Sequence, residues 1–157
     1  MKNHDYSISI QWTGNRGEST PHYRAYGREY EVRVEGKPVL SMSSDPAFMG
    51  KHDHYNPEEM LVAALSGCHM LWFLHLASEQ KVLVEAYADQ ATGTMAEQQD
   101  GSGRFLEVIL KPMVTVRDES MLSLLDGIHH TAGSKCFIAN SVNFPVVYQP
   151  GAIVLAQ

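Results

Sequence analysis

Cysteine is scarce: the 157-residue chain has two, Cys68 and Cys136. That excludes a disulfide scaffold. With no CxxC pair it also excludes a zinc ribbon or a thioredoxin-type site. Basic residues are in deficit, twelve Lys+Arg against eighteen Asp+Glu, for a formal net charge of −6. Nucleic-acid binding leaves a basic footprint, so no nucleic-acid partner is expected. No GxSxG elbow and no HExxH pair occur, and Gly101-Ser102-Gly103 leads into a strand rather than a phosphate-binding helix. Met1 to Gly14 has no apolar run after a basic start, so no signal peptide is expected and the protein is placed in the cytoplasm.

What is present is a globular composition, 44% hydrophobic and 19% charged. The length fits one domain, and residues 1–157 are read as a single domain. One run needs a membrane test. Met60 to Ala77 has eighteen residues without Asp, Glu, Lys or Arg, at the lower edge of spanning length. It contains Ser66, Gly67, His69 and His75, and no Lys/Arg cluster flanks it. A helix buried in a protein core is apolar all round for the same reason, so no membrane partner is expected.

Tyr6 to Trp12 alternates, with Ile8, Ile10 and Trp12 on one face, and reads as a strand. Thr20 to Val34 reads as one broken or two short strands around Gly27, and Val39 to Met42 as a further short strand. Asn56-Pro57-Glu58-Glu59 is a helix start: a capping side chain, proline at the first helical position, and two carboxylates at the positive end of the dipole. The helix is expected from Pro57 to about Gln80. Val82–Met95 and Phe105–Val116 then alternate as a hairpin pair around the loop Ala96–Arg104. A second helix is expected over Glu119–His130, stopped at Gly133, with strands in Val142–Tyr148 and Ala152–Leu155. The order β-β-(β)-α-β-β-α-β makes this an α+β domain, with antiparallel strands packed around a long buried central helix.

The candidate chemistry lies in the cysteines. Cys68 falls in the middle of the apolar helix, too far from its N-terminus for help from the dipole. A thiolate there would need a nearby cation. Cys136 follows Lys135, whose charge would favour its thiolate. Spacing alone does not say which thiol attacks, and two inert core thiols fit the pattern as well. Glu58 lies ten residues before Cys68, roughly 15 Å along a helix and turned by roughly 80°, so the two cannot touch within one straight helix. Eight histidines raise a metal reading. His69 and His75 are six apart, however, not the three or four that share a face, and no metal site is expected. Both are read as core histidines with hydrogen-bond partners.

Asn56-Pro57-Glu58-Glu59 followed by Ala63-Ala64-Leu65-Ser66-Gly67-Cys68-His69-Met70 resembles the central-helix motif of the OsmC/Ohr family, the osmotically inducible and organic hydroperoxide resistance proteins. Cys136-Phe137-Ile138-Ala139-Asn140-Ser141-Val142 falls where that family places its second thiol. Trp12-Thr13-Gly14-Asn15-Arg16-Gly17 and Asp45-Pro46-Ala47-Phe48 resemble an OsmC-like subgroup. The element order agrees over nearly the whole chain.

The resemblance implies an OsmC-like intertwined homodimer and a thiol peroxidase acting on organic hydroperoxides. In that scheme Cys68 is the peroxidatic thiol and becomes a sulfenic acid. Cys136 then condenses with it to an intramolecular disulfide, and an external dithiol, for example of the lipoyl type, resets the pair. No bound cofactor is implied. Glu58 matches a carboxylate that holds an arginine, which in turn stabilises the thiolate. The loop before Asn56, Met49-Gly50-Lys51, carries no arginine; the candidates are Arg16, Arg24 and Arg28, and Arg28 is chosen by resemblance to the subgroup. The alternative is a non-enzymatic protein of the same fold that holds a small lipophilic ligand beside Cys68.

Overall fold

The structure is a computed structural model and describes residues 2–155. The chain divides after Met60 into two compact units.

The first unit is a three-stranded antiparallel sheet, β1 (Ser9–Trp12), β2 (Tyr30–Arg33) and β3 (Leu40–Met42), in the order β1-β2-β3. Trp12 pairs with Tyr30 and Tyr30 with Met42; Ile10 pairs with Val32 and Val32 with Leu40. The even spacing in Thr20–Val34 therefore yields one strand, not two. The segment before Gly27 is irregular because its polar groups are closed locally. Asn15 Oδ1 accepts the Gly17 and Ser19 amides, and the Gly27 amide donates to the Gly14 carbonyl at 2.8 Å. A Cβ at Gly14 would stand 2.1 Å from the Gly27 carbonyl oxygen, so only glycine permits this approach.

Helix α1 (Pro57–Glu79) starts as its sequence demands. Asn56 Oδ1 accepts the Glu59 amide at 2.8 Å, and a Glu59 carboxylate oxygen accepts the Asn56 amide at 3.1 Å. This is a reciprocal capping box.

The second unit holds the rest of α1 and a longer sheet system: β4 (Val84–Asp89), β5 (Thr92–Glu97), β6 (Gly103–Leu110), β7 (Pro112–Val116), α2 (Leu122–Lys135), β8 (Val146–Tyr148) and β9 (Gly151–Val154). Each expected hairpin strand is split in two, and two three-stranded sheets form, β4-β7-β9 and β5-β6-β8. The pairing register nevertheless carries across the breaks. Asp89↔Pro112 and Thr92↔Ile109 lie on one antiparallel ladder, and Leu110↔Tyr148 and Met113↔Gly151 on one parallel ladder. The breaks fall where Pro112 and Pro150 supply no N–H. Lys111 N–H turns instead to the Asp89 carboxylate, at 2.7 Å. The sheet is also not purely antiparallel, because β8 and β9 run parallel to β6 and β7.

Val108, Leu110, Pro112, Val114 and Val116 alternate inward along β6 and β7. Against β7 pack Phe73, Leu76 and Ala77 of α1 and Leu125, Ile128 and Ala132 of α2. Leu65 packs with Val108 and Leu110 at the other end. α1 buries one stripe, Leu65, His69, Phe73, Leu76 and Ala77. It is long and apolar enough to cross a membrane by length and composition, yet only 28% of its most apolar window is buried. Leu71 is 64% exposed, and Ala63 and Ala64 are exposed too.

Candidate functional site

The site in the second unit is built where α1 meets the end of α2. Cys68 lies next to His69 of the buried stripe of α1 and is half-buried. Cys136 is the residue that closes α2, and it is buried. α2 runs past the expected stop at Gly133. That glycine serves contact rather than termination: a Cβ there would come within 2.8 Å of the Tyr148 hydroxyl oxygen.

The fold brings the two thiols into hydrogen-bonding reach of each other. Burial, then the hydrogen bond with Cys68, pushes the Cys136 thiol up to about 11. Its sulfur also accepts the Ala139 amide, at 3.4 Å. The expectation that Lys135 would favour a Cys136 thiolate is not met: the Lys135 ammonium sits over the Trp72 ring, 5.4 Å from its centroid, and desolvation dominates at the sulfur. Trp72 also meets Phe137 edge-on at 5.8 Å.

Behind the thiols lies a buried histidine pair. His69 Nε2 and His129 Nδ1 are 3.0 Å apart. The Tyr148 ring stacks on His69 at 4.5 Å, and Phe73 stacks on His129 at 4.2 Å. Burial holds both imidazoles down at about 4; the neighbouring His69 adds to this at His129, and Asp89 opposes it at both. Both rings are therefore neutral at pH 7. His69 is thus a core histidine with a partner, as expected, but His75 is not. His75 lies on the exposed side of α1, 3.6 Å from the Glu79 carboxylate. Asp89 accepts the Ser66 hydroxyl at 2.6 Å as well as the Lys111 amide. Among the described residues no group of three or more His, Cys, Asp or Glu is placed to hold a metal ion.

The other two expected site residues belong to the first unit. Arg28 donates to the carbonyls of Tyr26 and Tyr23, the latter at 2.6 Å. Its guanidinium lies over both rings, 4.2 Å from the Tyr23 centroid and 4.1 Å from that of Tyr26. Glu58 forms no ion pair among the described residues, and its Oε2 is buried without a hydrogen-bond partner. Its charge reaches Tyr30, whose phenol is raised first by burial and then by Glu58. Arg16 lies near Glu29, which Lys51 pairs at 2.9 Å.

Reasoning from sequence missed Asp89, Tyr148 and the joining of His69 to His129. One signal was available: His129 precedes Cys136 by seven residues, two helical turns, and so shares its face.

A family model for OsmC-like proteins matches residues 50–149, which include Glu58 and both cysteines. The chain belongs to the OsmC-like protein family. An OsmC-like protein of unknown function from Vibrio cholerae O1 biovar eltor is 34% identical, with 94% of this chain and 99% of that one covered and a TM-score of 0.84. An organic hydroperoxide resistance protein from Elizabethkingia anophelis is 16% identical over 99% of this chain and 100% of that one, with a TM-score of 0.68. A protein from Legionella pneumophila described as organic hydroperoxide resistance protein OsmC is 14% identical over 97% and 98%, also with a TM-score of 0.68. At the last two identities the likeness to this OsmC-like chain is one of fold. No curated protein matches it.

Proposed function

We propose that this OsmC-like protein is a cysteine-based peroxidase that reduces organic hydroperoxides in the cytoplasm. One observation carries the reading: two free thiols from different helices lie within reach of each other, one half-buried and one buried. The half-buried Cys68 is the thiol a peroxide meets first. Its sulfur attacks the terminal peroxide oxygen, the O–O bond breaks, and an alcohol leaves. The resulting Cys68 sulfenic acid is then attacked by Cys136, and water leaves as the disulfide forms. An external dithiol, for example of the lipoyl type, returns both to thiols. Trp72, Phe137 and Leu71 supply apolar surface on the elements that carry the thiols, which suits organic rather than hydrogen peroxide.

Arg28 and Glu58 complete the reading as the pair that stabilises the Cys68 thiolate, in a homodimer. The buried, unpartnered Glu58 oxygen is consistent with a cation supplied to it. Stopped-flow consumption of cumene hydroperoxide with a dithiol, beside Cys68→Ser and Cys136→Ser, tests the proposal. Cys68→Ser abolishes turnover. Cys136→Ser permits one oxidation and accumulates a sulfenic acid that dimedone traps. Retained turnover in Cys68→Ser would overturn the reading. Slow thiols in the wild type, with melting raised by lipophilic ligands, would favour the binding-protein alternative.

A further inference from the structure

Cys136 leaves α2 in extended backbone and opens a tight turn over residues 136–141. The hydrogen bonds of this turn close on the turn itself and on the end of α2. The Asn140 amide donates to the Cys136 carbonyl and the Ser141 amide to the Ile138 carbonyl, both at 3.0 Å. The Ser141 hydroxyl donates to the Phe137 carbonyl at 2.7 Å, and the Asn140 side-chain amide to the Ser134 carbonyl at 3.0 Å. Among the described residues no backbone hydrogen bond of the turn reaches α1. These bonds fix the shape of the turn, not its distance from the helix that carries Cys68.

That distance is set by side chains. Leu65 lies three residues before Cys68 and Trp72 four residues after it, so the two flank Cys68 along one face of α1. Ile138 and Ala139 pack in the cluster around Leu65. Trp72 takes the two chain neighbours of Cys136. The Lys135 ammonium lies 5.4 Å from the centre of its ring, and the Phe137 ring meets it edge-on at 5.8 Å, with 87° between the planes. Cys136 is thus a buried residue between two exposed ones that share a single indole. Trp72 is itself anchored, packed on the core cluster that contains Phe73. Phe137 is 66% exposed, too open to serve the core. Its ring contact is with Trp72.

Closure of a disulfide has a matching need. The bond forms without strain only when the two Cα atoms stand roughly 4.4–6.8 Å apart. A misplacement of about 1 Å can slow a positioned reaction about 100-fold. Edge-to-face and cation–ring contacts have preferred geometries, so they fix the register of the turn as well as its nearness.

Building on the peroxidase reading, we propose that Trp72 is a positioning residue for disulfide closure, holding Cys136 against Cys68 by gripping Lys135 and Phe137 on either side of it. In that step Cys136 Sγ bonds to Cys68 Sγ and the S–O bond of the Cys68 sulfenic acid breaks. The thiol proton of Cys136 and the departing hydroxide leave together as water. The Cys136 sulfur is oxidised and the Cys68 sulfur reduced, both to the disulfide level, so no further oxidant is required.

The test replaces the peroxide with 4,4′-dithiodipyridine. The first thiopyridone released reports attack by Cys68. The second reports closure, as Cys136 displaces thiopyridone from the mixed disulfide. Closure is a first-order step within one chain, so it is read apart from any effect on how the reagent binds. Trp72→Leu slows closure about 10-fold, and Trp72→Phe, which keeps a ring, restores it to within about threefold. Phe137→Leu changes an exposed side chain, leaves the fold intact, and also slows closure. The double variant Trp72→Leu/Phe137→Leu is slowed by less than the product of the two single effects, because both act through one contact. If Trp72 only filled the core, Phe137→Leu would leave closure unchanged, and that result overturns the assignment. Single effects that multiply in the double variant overturn it too. Absence of hydroperoxide turnover in the wild type would remove the peroxidase reading and leave the closure rates to judge Trp72 alone.

Discussion

Two uncharged imidazoles in the core set an acid limit on the fold. In the unfolded chain His69 and His129 titrate at their ordinary value, 6.5; in the folded chain burial holds them at about 4. The unfolded state therefore binds more protons between those values. Their contribution is fully present above about pH 6.5 and is lost as pH falls toward 4, by an amount on the order of 2 kcal/mol or more. Urea melts at pH 7.5 and 5 measure it. Equal midpoints would mean the rings are not buried as described. A second residue-scale expectation concerns Gly133. Alanine there gains up to about 1 kcal/mol of helix propensity. Its Cβ, however, would press within 2.8–2.9 Å of the Tyr148 hydroxyl oxygen and two of its ring carbons, and such overpacking costs about 1–3 kcal/mol. Gly133→Ala is expected to lower the urea midpoint.

At the scale of elements, the capping box before α1 is a local device with a local cost. Asn56→Ala frees the Glu59 amide and is expected to cost about 1 kcal/mol, read as a lower melting temperature. A change below the error of the melt would leave the helix start to Pro57 and the dipole alone. That start was legible in the sequence because cap, proline and carboxylates act within four residues. The thiol site was legible as two cysteines and no further. That they meet depends on α1 and α2 packing together against β7, a long-range contact that periodicity does not encode. The inward alternation from Val108 to Val116 survives the break at Lys111, so hydrophobic pattern alone marks one strand where proline makes two. Gly133 misled in the opposite direction. Its composition signals a helix end, while its use is to let a tyrosine approach a helix backbone. His75 was misplaced because α1 is apolar on every side, so periodicity could not say which face turns inward.

At the scale of the molecule, α1 is the outstanding debt. One chain buries a single stripe of it, leaving Ala63, Ala64 and Leu71 uncovered. Exposed apolar positions of this kind on a run without charge, Met60–Ala77, need a cover. Ile10 on β1 and Ile8 just before it are exposed as well. Glu58, in the first unit, keeps a buried oxygen unpartnered. A second copy of the chain, as the proposed function requires, would answer these together, and would also let Glu58 and Cys68, ten residues apart on one helix, serve one site. The expected state is a homodimer by light scattering at micromolar concentration. The sharper expectation is complementation. Glu58→Ala and Cys68→Ser chains, each weak or inactive alone, are unfolded, mixed and refolded together. A heterodimer then holds one site with Cys68 from one chain and Glu58 from the other. With random pairing about half of the dimers are mixed, and each keeps one intact site of two. Roughly a quarter of wild-type hydroperoxide turnover should return, on the additivity expected for sites that do not interact. A verified heterodimer without recovered turnover would confine Glu58 to the role its position already gives it, a carboxylate at the positive end of a helix. The reacting groups would then be Cys68 and Cys136, with thiolate stabilisation left to groups of the second unit.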